Sequence, residues 1–210
     1  DCGYEDLSSM NANEVDAALN ARRAEIYEEI GRMAPEPELV DVFRLKYDYH
    51  NAKVALKAAA MGTDGTHLYN HAGCTSVETL EEALAEDQFS ALPQALAKAL
   101  QEARDTLGKT GNPQMADFVL DRAYFAQLQN MAEKAGGAYL KGYVRLLIDA
   151  ANLRAAVRTV RMDHGVDFLL QALVPGGTVS VDTVAQAAMS GDGLTALFNA
   201  TVLQNAAAMG

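Results

Sequence analysis

Shifted against itself by 101 residues, the chain repeats, with Asp48 falling on Asp149. Across Asp16 to Ala58 the pairs Asp16/Asp117, Leu19/Leu120, Ala34/Ala135, Leu39/Leu140, Arg44/Arg145, Leu45/Leu146, Asp48/Asp149, Asn51/Asn152 and Ala55/Ala156 are identical. Lys53/Arg154 and Lys57/Arg158 keep their charge, and a later block, Ser76-Val-Glu-Thr-Leu80, returns as Ser180-Val-Asp-Thr-Val184 after a three-residue slip. Self-similarity at a fixed offset points to two copies of one structural unit. The seam lies at Leu107 to Pro113, where Gly108, Gly111 and Asn112-Pro113 interrupt the pattern. Residues 1–110 are therefore expected to form the first repeat unit and 111–210 the second.

Each unit is read as helical. Ala, Leu, Glu, Gln and Met dominate, and β-branched residues never alternate for more than a few positions. The predicted class is all-α, two tandem helical-bundle units. Helices are expected over about Glu14–Met33, Pro37–Met61, Ser76–Glu86, Ala91–Leu107, Gln114–Ala135, Ala138–Asp163, Val181–Ser190 and Leu194–Ala208, broken at Pro35, Gly62, Gly136 and Gly165. Thr75 and Glu78 have capping-box spacing.

The 210 residues, half of them hydrophobic, suffice for a real core. A net charge of −11 would repel a phosphate backbone, which argues against nucleic acid as a partner. The acid is concentrated: residues 1–105 hold 9 basic and 20 acidic groups, residues 106–210 hold 8 of each. Cys2 and Cys74 fit a reducing compartment, although one disulfide between them stays open. No stretch reads as a membrane span, since the longest charge-free run, Gly193 to Gly210, carries Asn199, Gln204 and Asn205. The chain opens on Asp1, so a piece of a longer protein or a processed terminus is expected.

The most distinctive chemistry is a repeated polar ladder: Arg44, Asp48 and Asn51, then Arg145, Asp149 and Asn152. Spacings of four and three place each trio on one helical face. Leu45, Ala52, Ala55, Leu56 and Ala59 run beside Asp48, and Leu146, Leu153, Ala156, Val157 and Val160 beside Asp149, so both carboxylates should be partly buried. A buried carboxylate needs a partner, and the arginine one turn earlier is the expected one. The ladder reads as a structural device fixing helix register; two carboxylates in separate repeats have no reason to converge into a catalytic dyad. Arg154, Arg158 and Arg161, with Lys53 and Lys57 as the counterpart in the first unit, form basic stripes that could grip acidic partner loops or simply face solvent. His67, His71 and Cys74 are a possible zinc set, but no fourth ligand stands nearby and the second unit lacks equivalents. No P-loop, GxSxG, HExxH or dinucleotide fingerprint is present, so no cofactor and no catalytic residue are expected.

Three ordered phrases, Tyr47-Asp-Tyr-His-Asn-Ala-Lys53, Leu120-Asp-Arg-Ala-Tyr-Phe125 and Ile148-Asp-Ala-Ala-Asn-Leu-Arg154, make the chain resemble the C subunit of V-type ATP synthases, the d-subunit family of vacuolar and archaeal-type rotary ATPases. The resemblance spans about Glu14 to Thr195. In that family three related helical units form a funnel at the membrane end of the central stalk. The resemblance implies a truncated, non-catalytic connector that seats the rotor shaft on the membrane ring of a proton- or sodium-translocating ATPase. Its implied partners are rotor-shaft and ring subunits, and its implied place is cytoplasmic and peripheral to the membrane. A stand-alone helical metal-binding or regulatory domain using His67, His71 and Cys74 is the competing reading.

Overall fold

The computed structural model describes residues 10–209, all of whose regular elements are helical. In order these are α1 (Ala12–Met33), α2 (Glu38–Met61), α3 (Val77–Ala85), α4 (Gln94–Thr110), α5 (Pro113–Ala135), α6 (Ala138–Arg161), α7 (Val166–Ala172), α8 (Val181–Ala188), α9 (Gly193–Leu197) and α10 (Gln204–Ala208). A 3-10 turn over Thr66–Leu68 lies between α2 and α3. The all-α class is as expected, and Cys2 lies outside the described residues. The order of two long helices, a loop and a short amphipathic helix occurs twice: α1, α2, α3, and then α5, α6, α8.

The chain divides into two compact units, one up to Tyr124 and one from Phe125 onward, so the division falls inside α5. In the first, α2 is central. Leu45, Tyr49, Ala52, Ala55 and Leu56 are buried along it, together with Asp48 and Asn51, which bond the loop leading to α3. Leu80 of α3, Leu96 and Leu100 of α4, and Leu120 are sealed as well, each burial contributing about 1.5–3 kcal/mol. The Tyr49 ring lies 5.7 Å from that of Tyr124. In the second unit, Leu153 and Ala156 of α6 share a core with Leu169 of α7, Val184, Ala185 and Ala188 of α8, Leu194 and Phe198.

Most helix ends lie where the local chemistry places them. At the seam, α4 runs through Gly108 and stops at Gly111, which adopts the left-handed conformation open to glycine (φ 63°); Asn112 then accepts from the Gln114 amide. The N-terminus of α1 carries a reciprocal cap, Asn11 with Glu14. Two segments depart from expectation. Residues 166–172, read as a break beginning at Gly165, form α7, because seven residues are too few to show a helical period while Leu169 is fully buried. The single helix expected over Leu194–Ala208 is two short pieces, α9 and α10, separated by Ala200 at φ 62°.

Candidate functional site

Each unit contains a lock between its long helix and the loop entering its short amphipathic helix. In the first, Asn51, 0 % exposed, pairs with residue 70 as a neighbouring strand would: Nδ2 donates to the Asn70 carbonyl at 2.8 Å, and the Asn70 amide donates to Oδ1 at 2.9 Å. One turn earlier, Asp48 accepts from the Thr75 amide at 2.8 Å and from the Cys74 amide. In the second, Asn152 donates to the Val174 carbonyl and accepts from its amide, both at 2.8 Å. Asp149 accepts from the Thr178 amide at 2.9 Å, from the Thr178 hydroxyl, and from the Val179 amide at 3.2 Å. Both carboxylates are buried, at 3 and 4 % exposure. Unsatisfied backbone groups there would each cost about 1–3 kcal/mol, and these side chains supply their partners.

The loops correspond at an offset of 104 residues, so that Asn70 answers Val174, Gly73 answers Gly177 and Ser76 answers Ser180. Gly73 and Gly177 are members of the lock that sequence reasoning missed. A Cβ at Gly73 would overlap Oδ1 of Asp48, and a Cβ at Gly177 would overlap Oδ1 of Asp149. The helix cap lies one residue later than expected. Ser76, not Thr75, caps α3 by accepting from the Thr79 amide at 3.1 Å, while the Thr75 amide is given to Asp48. Ser180 caps α8 from Thr183 in the same way, at 3.2 Å. The glycine-to-serine spacing shared by the two loops, Gly73 to Ser76 and Gly177 to Ser180, was the available signal.

The arginines do not supply the carboxylates' direct partners. Arg44 donates to the Ala72 and Gly73 carbonyls, at 3.2 and 2.5 Å, and reaches Asp41 at 3.6 Å. It therefore fastens the acceptor side of the loop whose amides Asp48 holds. Arg145 is exposed and makes no hydrogen bond or ion pair among the described residues. In the second unit Gln129 of α5 reaches the loop instead, donating to the Pro175 carbonyl at 3.1 Å.

The electrostatics suit a structural site. Burial pushes the Asp48 carboxyl up to about 6 against the opposing pull of the Thr75 and Cys74 amides and Arg44. Although Cys74 is exposed as a residue, desolvation of its thiol and the Asp48 and Asp41 carboxylates push it up to about 12, and the thiol donates to Asp41 at 3.3 Å. The thiol is therefore held in its protonated form, which disfavours nucleophilic attack. His67 lies in the 3-10 turn and His71 in the loop after it, both exposed. Among the described residues no three His, Cys, Asp or Glu side chains converge to hold a metal ion.

The basic stripes part company. Lys53 and Lys57 are taken up inside the first unit, paired with Asp121 at 2.5 Å and Asp117 at 2.6 Å. These pairs tie α2 to the start of α5, so neither lysine is a loose cation awaiting a partner. Arg154, Arg158 and Arg161 instead border an open groove on the second unit.

Residues 3–206 match the family described as ATP synthase (C/AC39) subunit. The C subunit of the V-type sodium ATPase of Enterococcus hirae is 27% identical over 169 residues, covering 80% of this chain and 52% of that protein. The C subunit of the A-type ATP synthase of Thermococcus onnurineus is 25% identical over 202 residues, covering 88% of this chain and 53% of its own. The chain thus spans about half the length of the curated relatives it matches. No solved structure gives a significant match.

Proposed function

Because the chain belongs to the ATP synthase (C/AC39) subunit family, we propose that it is a non-catalytic connector of a V/A-type rotary ATPase, joining the rotor shaft to the membrane ring. It would carry torque between them during ATP-driven or ATP-synthesising transport of protons or sodium ions. The family match over residues 3–206 carries this reading. The repeated lock supports it on physical grounds. A part that transmits torque must not yield at its loops, and in each unit two buried side chains of a long helix bond the following loop through its backbone. Such links resist shear better than apolar contact alone, because each has a fixed length and direction. The connector's place in this reading is peripheral, on the cytoplasmic side of the membrane; no helix among the described residues is long and apolar enough to cross one. Asp48 and Asn51 with Arg44, and Asp149 and Asn152, are structural in this reading, and neither aspartate is a proton carrier.

The test is to deplete the chain from the parent ATPase. ATP hydrolysis by the soluble head should persist, while ATP-driven ion pumping falls to background and returns when the chain is added back. Normal pumping by the depleted complex would refute the role, as would ATP hydrolysis by the purified chain itself.

A further inference from the structure

The second unit carries a groove of about 490 Å³ between the last three turns of α6 and the segment around α10. Its lining is largely apolar, with Leu153, Val157 and Leu203 inside and the exposed Met209 at its edge, and three arginines stand along it. Arg154 and Arg158 are exposed and make no hydrogen bond or ion pair among the described residues. Arg161 bonds the Met209 carbonyl at 3.0 Å and so fastens one end of the groove. No acidic residue lines it among the described residues.

We infer that this groove receives an amphipathic α-helix of a protein partner, its apolar face on the floor and carboxylates at i and i+4 opposite Arg154 and Arg158. The spacing suits a helix lying alongside α6. Arg154 and Arg158 are one turn apart, about 6 Å along the axis of α6, which is the separation of i and i+4 carboxylates on a second helix lying alongside. Guanidinium groups beside apolar floor residues favour carboxylates whose own helix supplies apolar side chains between them, and such charge complementarity selects the partner. An anionic membrane fits less well. A bilayer surface is flat and cannot fill a concave floor. The inference rests on the coupling role and deepens it, naming the chemistry of an element that the connector grips.

The experiment uses the isolated chain and a short fluorescein-labelled helical peptide with leucines on one face and glutamates at i and i+4 beside them. Binding should saturate. The double variant Arg154→Glu, Arg158→Glu should weaken it at least about tenfold, with unchanged helical circular dichroism, and a lysine version of the peptide should restore binding to that variant alone. Absent binding, or binding indifferent to charge reversal, overturns the inference. So does capture by phosphatidylglycerol vesicles that depends on the two arginines when the peptide is ignored. The assay needs no ATPase, so its failure leaves the pumping result untouched, and a failed pumping test leaves the groove's preference to be read directly.

Discussion

The two locks solve the same problem with different parts. Both long helices use an asparagine to pair with one loop residue through amide and carbonyl together, and both use an aspartate to collect amides near the next helix start. Beyond that they diverge. The first unit recruits Arg44 from the same helix to hold the carbonyls of residues 72 and 73, whereas the second leaves Arg145 in solvent and brings Gln129 from the preceding helix. The second also adds the Thr178 hydroxyl to its aspartate, where the corresponding residue of the first is Cys74, whose thiol turns to Asp41. The asparagine and aspartate satisfy buried backbone and cannot be exchanged cheaply, while the third member works at a partly exposed edge where several donors serve.

The comparison breaks most visibly at the asparagines. Asn51→Ala and Asn152→Ala each strand a buried amide and a buried carbonyl, and each should cost about 3–4 kcal/mol in urea unfolding. Hydrogen exchange should localise the loss to the loop of the altered unit. A large effect in one unit and a negligible one in the other would end the case for equivalent locks.

A somewhat smaller effect concerns pH. Asp48 has its carboxyl raised from an ordinary 3.8 to about 6, so the folded chain binds that proton more tightly than the unfolded chain. Its contribution to stability is full well below pH 4 and is lost as pH rises through 6, a difference of about 2 kcal/mol between pH 4 and 7. In Asp48→Asn that part of the pH dependence should vanish from unfolding curves measured across this range. A variant with the slope of the parent protein would show that Asp48 does not carry it.

The smallest effect sharpens the difference between the third members. Arg44→Ala removes a charged donor from two loop carbonyls and should cost about 2 kcal/mol, while Arg145→Ala should stay within about 0.5 kcal/mol. Equal costs in thermal or urea unfolding would mean that the arginines play the same part after all.

How much of this could be read in advance depends on where the deciding partner lies. Asp48, Asn51, Asp149 and Asn152 could be picked out because each sits beside an apolar stripe on its own helix, and a helix has one geometry. The donors they meet could not be picked out, because Thr75, Asn70, Val174 and Thr178 lie 19 to 29 residues away in loops of unequal length. The three-residue slip between the units has a visible consequence of this kind. The shorter connection holds the Thr66–Leu68 turn, and the longer one has room for α7 with Leu169 in the core. Lys53 and Arg154 were likewise equivalent in sequence, yet the lysine meets Asp121 and the arginine borders a groove.

The sequence by itself determined the helical class, the duplication, most helix limits and the burial of the four polar residues, since these follow from periodicity and local capping within one or two turns. Only the tertiary structure decided what those residues hold, why Gly73 and Gly177 can bear no side chain, and which basic residues remain open to a partner. Those outcomes depend on distances between segments far apart along the chain, and a hydrogen bond or a van der Waals overlap is settled within a few tenths of an ångström.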